Sequence, residues 1–382
     1  MIYLDSAATS FHRPPEVKKA LEAALSMGNP GRGGHRAAME AAKALYGARE
    51  AFAAHFGASP ERVCFFYNAT TALNTAVKTL LPKGGRLLLS DMEHNALRRP
   101  ALALKKAGVT VDRFNGYGSE EEIEKSFSEA LKKKPDLAAF LHVSNICPQT
   151  LPVKKLCALA RRAGVMTVID CAQSGGHLKL DLNAVGADGF VFPSHKGLWG
   201  VPGAGILVAG ERAAALFERA GTLMEGGSGM HSFEEGMPAL LPERLEWGTP
   251  ALPAILSASA GLKAVSEIGE EEIAGKISKL ARQTAEGIAS IRGLRLRGME
   301  GTPGECGPLL FTCGGGESAL AQRLYDEGIC LREGYHCAPW AHETVGTEKT
   351  GGLRVSFSYF STKKEIARFL WILNRAVESG VN

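Results

Sequence analysis

The sequence from residue 190 to residue 205 reads Phe190-Val-Phe-Pro-Ser-His-Lys-Gly-Leu-Trp-Gly-Val-Pro-Gly-Ala-Gly205. Its apolar start predicts a strand, and Lys196 follows in a turn that is rich in glycine. A lysine at the end of a strand is usually a solvated side chain, so this motif alone is only a hypothesis about function. Its meaning depends on what the neighbouring strands carry.

On both sides of this stretch, short β-branched or leucine-rich runs alternate with helical periodicity. This alternation is typical of a mainly parallel sheet that is covered by helices on both faces. Ligands of such sheets bind at the carboxyl ends of the strands, so the residues of one site should each follow a strand. The sequence predicts strands at 62–67, 86–90, 109–114, 137–143, 165–169, 189–192 and 204–208, and helices at 16–26, 36–56, 71–81, 95–106, 119–133 and 153–163.

A chain of 382 residues exceeds the usual size of about 150 residues per domain, which favours two domains. After Trp247-Gly-Thr-Pro250 the pattern changes to long helices, one of them at 270–291. Short strands follow near 309–313, 329–332 and 353–357, with a closing helix at 362–377. We therefore predict an N-terminal arm (1–15), a large α/β domain with a seven-stranded, mainly parallel sheet (16–255) and a smaller α+β C-terminal domain (256–382).

The composition is that of an ordinary globular protein, with 45% hydrophobic and 22% charged residues. The net charge of +4 is not gathered into long blocks, so we expect no binding of nucleic acid. No signal-peptide pattern and no run of ~20 apolar residues occurs, so we expect a soluble, cytoplasmic protein that does not enter membranes. Eight cysteines without C-x-x-C spacing predict reduced thiols and no metal site.

An earlier strand end carries a carboxylate. The stretch Val168-Ile-Asp-Cys-Ala-Gln173 places Asp170 where a predicted strand ends. A pyridoxal enzyme needs a lysine that forms a Schiff base and a carboxylate that pairs with the pyridinium nitrogen. Lys196 and Asp170 are residues of those two kinds.

Two further strand ends suit the same ligand. The stretch Asn68-Ala-Thr-Thr71 opens a helix, where free N–H groups and the hydroxyls of Thr70 and Thr71 suit a phosphate. An ordinary N-cap is the alternative. His94 follows the next strand, where it either stacks on a pyridine ring or is a buried, hydrogen-bonded histidine.

A candidate nucleophile lies in the predicted small domain, in the segment Gly328-Ile-Cys-Leu-Arg-Glu-Gly-Tyr-His-Cys-Ala-Pro339. Cys337 follows His336 and comes after Arg332. Neighbouring histidine and arginine favour the thiolate, which is the nucleophilic form of cysteine. A lone cysteine in a loop is nevertheless more often incidental than nucleophilic.

These motifs resemble a known family when they are taken together and in order. Asn68-x-Thr-Thr71, Glu93-His94, Asp170-x-x-Gln173 and Ser194-His-Lys196 are similar to the fold-type I class V aminotransferases, specifically the cysteine desulfurase and selenocysteine lyase group. The resemblance runs nearly end to end, from Tyr3-Leu-Asp-Ser-Ala-Ala8 to Arg354-Val-Ser-Phe-Ser358. It implies the fold-type I architecture and pyridoxal 5′-phosphate as the cofactor.

The resemblance implies four residues around the pyridine ring. Lys196 would hold the cofactor covalently, and Asp170 would pair with the pyridinium nitrogen. Gln173 would contact the phenolic oxygen. His94 would stack on the ring.

It also implies contacts with the phosphate. Thr71 and His195 would bind it within one chain, and Thr249, in a Gly-Thr-Pro turn, would reach the phosphate of the neighbouring subunit in a homodimer. Many relatives carry a serine where this chain has Pro193. The adjacent Ser194 is the candidate to replace that contact.

The resemblance finally implies the sulfur chemistry. The Arg-x-Gly-x-His-Cys-Ala pattern is similar to the subgroup with a short, ordered catalytic loop, which implies Cys337 as the sulfur acceptor. Arg354 would grip the substrate carboxylate with a bidentate fork. Asn145 and Arg332 would also lie against the substrate, and His336 would move protons at the sulfur.

The implied activity is that of a cysteine desulfurase, which converts L-cysteine to L-alanine and leaves a persulfide on Cys337. The persulfide would then pass to a sulfur-acceptor protein. Selenocysteine lyase activity is the first alternative, because both substrates need the same groups. An aminotransferase or epimerase of the same fold is the second, since a fold does not fix a reaction. A non-catalytic protein that keeps the cofactor fold for regulation or scaffolding is the third.

Overall fold

Residues 1–31, 34–229, 232–299 and 307–379 are described by the computed structural model of this chain. Their strands are β1 (Ile2–Tyr3), β2 (Val63–Phe66), β3 (Arg86–Ser90), β4 (Thr110–Phe114), β5 (Leu137–Leu141), β6 (Met166–Asp170), β7 (Gly189–Pro193), β8 (Gly205–Ala209), β9 (Arg295–Arg297), β10 (Leu309–Thr312), β11 (Ile329–Cys330), β12 (Arg332–Gly334) and β13 (Gly352–Val355). Their helices are α1 (Pro15–Ala24), α2 (Arg36–Phe56), α3 (Ala69–Leu80), α4 (Asn95–Lys106), α5 (Glu120–Leu131), α6 (Val153–Arg162), α7 (Leu182–Val185), α8 (Glu211–Phe217), α9 (Leu252–Ile268), α10 (Glu270–Ser290), α11 (Glu317–Asp326), α12 (Pro339–Thr344) and α13 (Lys363–Glu378).

Seven strands of the described residues form one sheet, the large sheet, in the order β2-β8-β7-β6-β5-β3-β4. The neighbours from β7 to β4 pair in parallel, whereas β8 is antiparallel to both β2 and β7. β2 therefore runs in the same direction as the parallel strands. The predicted mainly parallel sheet is confirmed, and the carboxyl ends of β2, β3, β5, β6 and β7 lie at one edge.

Side chains of the large sheet alternate between two apolar cores, as the pleat of a strand requires. Phe192 of β7 faces α2, where its ring stacks on Phe56 at a centroid distance of 4.2 Å. Val191 points to the opposite face, where α3 and α8 pack through residues such as Leu73 and Phe217. Burial on both faces explains why these strands read as continuous apolar runs.

The C-terminal part holds a second, antiparallel sheet, the small sheet, in the order β12-β13-β10-β9. Helices α10, α11 and α13 bury apolar residues against it, among them Ile277, Leu324 and Phe369. β1 pairs in parallel with β11, and Leu4 belongs to the same apolar cluster. The beginning of the chain is therefore tied to its C-terminal part.

Two features bear on the predicted division at 1–15, 16–255 and 256–382. β1, in the predicted arm, pairs with β11. Helix α9 runs across the boundary at residue 255 and packs against α1 and α2. The division itself stays a prediction.

Short strands are where the sequence pattern and the structure differ. The single strand predicted at 329–332 is instead two strands, because β11 pairs with β1 whereas β12 pairs with β13. The edge strand β9 carries two arginines in three residues, so its sequence lacks the apolar pattern from which a strand is predicted. Among the described helices, none has the length and apolar character that crossing a bilayer requires.

The close approach of β8 to the start of α3 gives a stability prediction. A Cβ on Gly205 would lie 2.2 Å from the carbonyl carbon of Asn68. We expect Gly205→Ala to lower the free energy of unfolding by about 1–3 kcal/mol, since backbone must move to make room. Chemical denaturation followed by circular dichroism measures this loss.

The matched control is Gly189→Ala at the start of β7, where a Cβ would lie 3.4 Å from a Leu207 methyl, an ordinary contact. This control should unfold close to the wild-type midpoint. Equal midpoints for the two variants would show that the close approach of Gly205 to Asn68 does not contribute to the free energy of unfolding.

Candidate active site

A cavity of about 230 Å³ opens at the carboxyl edge of the large sheet. Successive strand ends supply residues to its lining, namely Asn68 and Thr70 after β2, His94 after β3, Asn145 after β5, Asp170 at the end of β6 and Lys196 after β7. The C-terminal part adds Arg332, His336 and Arg354. Residues from five strand ends and two distant strands thus meet in one cavity.

Glycines allow the turn that carries Lys196 to touch the segment after β6. A Cβ on Gly197 would lie 2.1 Å from the Gly175 carbonyl oxygen, and one on Gly176 would lie 2.2 Å from the Gly197 carbonyl oxygen. Gly176 also has a left-handed backbone, with φ of 77°. This backbone-to-backbone contact brings the loop that follows Asp170 against the loop that carries Lys196.

Asp170 and Lys196 are both desolvated, and the charge of each shifts the pKa of the other. Burial lowers the pKa of Lys196 to about 8; Asp170 opposes this shift, and the positive charges of Arg354 and Arg332 add to it. Burial raises the pKa of Asp170, while the N–H of Ala172, which donates to its Oδ1 at 2.9 Å, and the charge of Lys196 lower it. Lys196 therefore supplies a neutral amine more readily than an exposed lysine does.

His94 is neutral and has a fixed orientation. It is the N-cap of α4, and its Nδ1 accepts a hydrogen bond from the N–H of Ala96 at 3.1 Å. Burial, helped by the charges of Lys196 and Arg332, lowers the pKa of His94 to about 3. A neutral ring held in this way can pack flat against an aromatic ligand.

The segment that follows β1 reaches this cavity as well. The amide nitrogen of Gln173 donates to the Ala7 carbonyl at 3.0 Å. His195 Nδ1 lies 3.1 Å from the Thr9 hydroxyl, and burial lowers the pKa of His195 to about 4. Both residues line the cavity, so the N-terminal segment orients two of the predicted cofactor residues.

The predicted phosphate residues are divided between the cavity and its surroundings. Thr70 lines the cavity at the start of α3, where the first N–H groups of the helix lack partners within the helix. The hydroxyl of Thr71 donates to Asn68 Oδ1 at 3.0 Å, and that of Ser194 donates to the Val201 carbonyl at 2.5 Å. Thr71 and Ser194 lie outside the cavity lining, whereas Pro193 belongs to it.

Thr249 lies apart from this group. It is exposed, its hydroxyl accepts from the Asn29 amide at 3.4 Å, and it belongs to a separate cavity of about 350 Å³. A buried ion pair between Arg49 and Glu246 borders that second cavity. The role of Thr249 toward a neighbouring subunit therefore stays a prediction.

Arg354 joins distant parts of the chain at the cavity wall. Its Nη1 donates to the Asn145 carbonyl at 2.9 Å and its Nη2 to Asp5 Oδ1 at 2.6 Å. Desolvation lowers the pKa of Arg354, and Asp5 opposes that shift. Among the described residues, Arg354 Nε and Asn145 Oδ1 are buried without a hydrogen-bond partner. Such atoms are costly to leave unpaired, and a ligand with both an acceptor and a donor would complete them.

Cys337 directly follows the cavity residue His336, on a strained loop. Its backbone oxygen accepts from the N–H of Asn95 at 2.7 Å, and the Asn145 side chain donates to the His336 carbonyl at 2.7 Å. His336 and Cys337 have φ of 49° and 57°, a left-handed geometry that costs about 1–2 kcal/mol per non-glycine residue. The thiol is exposed, in contrast to the buried or half-buried thiols of the other described cysteines.

Both ring nitrogens of His336 are already engaged. Nε2 lies 3.2 Å from the Arg332 carbonyl, and Nδ1 lies 3.2 Å from Nε2 of His342. Burial lowers the pKa of His336 to about 3, with the charge of Arg354 as the next cause. This arrangement suits a residue that holds the loop, whereas proton transfer at the sulfur stays a prediction.

Several residues of this site were not assigned a role from the sequence. Asp5 was quoted only as part of the first motif, because its partner Arg354 is 349 residues away. His342 lies in a segment without any recognisable pattern. Glu93 is fully buried and accepts from the N–H of Leu141 at 3.2 Å, and burial raises its pKa to about 8.

The comparisons with known proteins agree with one another. The family model described as aminotransferase class-V matches residues 2–369. A probable cysteine desulfurase 2 of Mycobacterium leprae is 30% identical, with 99% of this chain and 92% of that protein covered. A probable cysteine desulfurase of Methanothermobacter thermautotrophicus is 28% identical, with 96% and 92% covered.

Solved structures give the same result. The apo cysteine desulfurase of Thermococcus onnurineus NA1 superposes with a TM-score of 0.89 at 26% identity, covering 99% of this chain and 95% of the other. The cysteine desulfurase CsdA of Escherichia coli, with an S-sulfonic acid, gives 0.87 at 25% identity, covering 99% and 94%. With a family match over almost its whole length and relatives that align end to end, this chain belongs to the aminotransferase class-V family.

Proposed function

We propose that the chain is a pyridoxal-phosphate-dependent cysteine desulfurase that converts L-cysteine to L-alanine and retains the sulfur as a persulfide on Cys337. Relatives that align over the whole chain carry this activity in their names. The observation that carries the proposal is that Cys337, which is exposed, directly follows His336, a residue of the cavity that Lys196 and Asp170 also line.

The cavity fits pyridoxal phosphate by the chemistry of its residues. Lys196 has a lowered pKa and lies close to the buried carboxyl of Asp170. His94 offers a neutral ring, Gln173 an amide, and the start of α3 at Thr70 offers backbone donors for a phosphate. Lys196, Asp170, His94, Gln173 and His195 would hold the cofactor, together with the N-terminus of α3. Thr71 and Ser194 lie outside the lining, and their hydroxyls already donate to Asn68 Oδ1 and to the Val201 carbonyl.

When bound, this cofactor supplies an electron sink that makes removal of a proton from the substrate Cα feasible. The Nζ of Lys196 is the base for that proton, because its lowered pKa leaves a sizeable neutral fraction near neutral pH. The carboxylate of Asp170 would stabilise a positive charge on a ligand in the cavity. Apolar residues such as Leu141 and Val143 complete the wall and exclude water.

The unpaired atoms of the cavity match an amino acid. Arg354 Nε is a buried donor for a carboxylate, and Asn145 Oδ1 is a buried acceptor for an N–H. Asp5 accepts a hydrogen bond from Nη2 of Arg354, which keeps the guanidinium in place before substrate binds. Arg332 adds a second positive charge to the lining.

The sulfur step is balanced within the active site. The Sγ of Cys337 attacks the substrate sulfur, so one S–S bond forms while the Cβ–S bond of the substrate breaks. The substrate carbon is reduced to the methyl group of alanine, and the two sulfurs are oxidised to the persulfide level. The electron pair of the broken Cβ–S bond stays on the substrate carbon, which takes up the proton that the Cys337 thiol gave up, so no outside oxidant is needed.

The same proposal includes two partners. A sulfur-acceptor protein would take the persulfide from Cys337, whose exposure leaves it accessible. A homodimer would bring Thr249 to the phosphate of the neighbouring subunit, and the exposed position of Thr249 beside Asn29 supports this.

We expect Cys337→Ala to lower alanine formation from L-cysteine at least about 100-fold, because the attacking thiolate is gone. The cofactor absorbance should remain, since Cys337 lies outside the cavity lining. Alanine and sulfide are quantified with L-cysteine, and alanine and selenide with L-selenocysteine.

The matched control for this variant is Cys313→Ala, a half-buried thiol of the C-terminal part, which should keep wild-type activity. Activity confined to L-selenocysteine would make the chain a lyase. Full activity of Cys337→Ala would rule out sulfur transfer through this thiol and favour amino-group transfer.

We expect Arg354→Lys to raise the KM for L-cysteine about 10- to 100-fold, because a lysine cannot present the Nε donor together with the contact to Asp5. Steady-state kinetics measures KM and kcat separately. Arg323→Lys is the control, since Arg323 donates to the Ala376 carbonyl at 3.0 Å, away from the cavity. An unchanged KM in Arg354→Lys would remove Arg354 from substrate binding.

The lowered pKa of Lys196 predicts a pH profile. In the cofactor-free protein, capture of pyridoxal phosphate by Lys196 should accelerate as pH rises through about 8 and level off above it, since only the neutral amine reacts. Asp170 raises that pKa, so Asp170→Asn should move the midpoint to lower pH. Stopped-flow absorbance measures the rates.

The control for this profile is a free lysine derivative, whose pKa of about 10.4 makes its rate rise throughout the same pH range. A protein profile that rises in parallel with the free amine would show that Lys196 is not desolvated as described.

A further inference from the structure

A line of hydrogen bonds runs behind the Cys337 loop. Its members are the Arg332 carbonyl, His336, His342 and Thr347. The His336 and His342 rings are stacked, with centroids 5.4 Å apart and planes 14° from parallel. The side chains of His336, His342 and Thr347 are buried, so water does not compete for these bonds.

The chemistry of the groups fixes the direction of each bond. A carbonyl only accepts, so His336 Nε2 carries the proton that is donated to Arg332 at 3.2 Å. Burial keeps His336 and His342 neutral, with pKa values of about 3 and about 4. His336 Nδ1 is then the acceptor, His342 Nε2–H is the donor at 3.2 Å, and His342 Nδ1 accepts from the Thr347 hydroxyl at 2.6 Å.

His342 is itself fixed to the large sheet. It lies on α12, whose Trp340 ring packs against two guanidinium groups, that of Arg98 in α4 at 5.2 Å and that of Arg113 in β4 at 4.7 Å from the ring centroid. The N–H of Thr347 donates to the His342 carbonyl at 2.8 Å, which closes the turn after α12. A rigid element therefore presents Nε2–H to His336.

The line of hydrogen bonds restrains His336, whose backbone geometry is unfavourable. His336 and Cys337 are both left-handed, a geometry that non-glycine residues leave unless their surroundings hold them. Bonds from Asn145 to the His336 carbonyl and from Asn95 to the Cys337 carbonyl act on the backbone. The ring of His336 is oriented by two contacts, the Arg332 carbonyl at Nε2 and His342 at Nδ1.

We propose that His342 is a positioning residue for sulfur transfer: its hydrogen bond to His336, fixed by Thr347, holds the loop in the left-handed geometry that presents Cys337 to the cavity. This inference rests on the proposed desulfurase function. His342 is not itself part of the cavity lining, and its side chain reaches that lining through the hydrogen bond to His336. Its effect falls on the step in which Cys337 attacks and leaves substrate binding and Cα proton removal unchanged.

The test uses holoenzyme and two pairs of variants. His342→Phe keeps ring volume and stacking but removes both hydrogen bonds, and His342→Gln restores an N–H donor near the place of Nε2. Thr347→Val removes the hydroxyl that fixes the ring. Thr284→Val is its matched control, a buried threonine of α10 whose hydroxyl donates to the Leu280 carbonyl at 2.8 Å, far from the loop.

Three quantities are measured for each protein. They are kcat and KM for alanine formation from L-cysteine, the rate at which the Cα proton of bound L-cysteine or L-alanine exchanges in D₂O, and amide hydrogen exchange of the peptide 331–345 by mass spectrometry. We expect His342→Phe to lower kcat at least about tenfold, as misplacement of a reacting group does, with KM and Cα exchange within about twofold of wild type. Amide exchange of 331–345 should accelerate severalfold.

Partial recovery in His342→Gln and a smaller loss in Thr347→Val should accompany these effects, while Thr284→Val behaves as wild type. Wild-type kcat and amide exchange in His342→Phe would overturn the inference. So would a parallel fall of kcat, Cα exchange and melting temperature, which would indicate general damage. If the wild-type protein forms no alanine from L-cysteine, the proposed function fails instead, and the amide exchange still decides whether His342 restrains the loop.

Discussion

Lys196 and Asp170 line the same cavity, where both are desolvated, and the rest of the site depends on this pair. Burial lowers the pKa of the amine to about 8 and raises that of the carboxyl, while each group partly offsets the shift of the other. Without the carboxyl of Asp170, a lysine at this position would either become neutral or move toward solvent. The pair therefore allows a reactive amine to persist next to a carboxylate, which is the combination that a pyridoxal cofactor needs.

The geometry of that pair comes from backbone contact. Gly176 and Gly197 approach so closely that no side chain fits between them, and this contact joins the loops after β6 and β7. The neighbouring strand ends add His94 and Asn145 at the same edge because β3, β5, β6 and β7 run in parallel. A sheet with this topology collects polar residues from separate segments without any of them being close in sequence.

The C-terminal part completes the cavity through long-range polar contacts. Arg354 binds Asp5 and the Asn145 carbonyl, and Asn145 in turn holds the His336 carbonyl. These contacts bring the loop with Cys337 to the edge of the large sheet. The loop is left-handed at two successive residues, so its shape is maintained by its surroundings and not by its own preference. Within those surroundings, His342 contacts the side chain of His336, on which its ring is stacked.

The sequence by itself determined the class of the fold, because apolar runs of the parallel strands and amphipathic helices leave periodic patterns that local chemistry dictates. Helices α2 and α4 begin and end where the pattern predicts, and the motifs around Asp170 and Lys196 indicated the chemistry. Tertiary structure alone decided which residues meet. The pairing of β1 with β11, the bond between Asp5 and Arg354, the displacement of Ser194 and Thr71 from the cavity lining, and the link from His342 to His336 all depend on contacts in three dimensions. Most of these partners lie far apart in the chain, and none of the contacts leaves a periodic signal, so only the folded chain could bring them together.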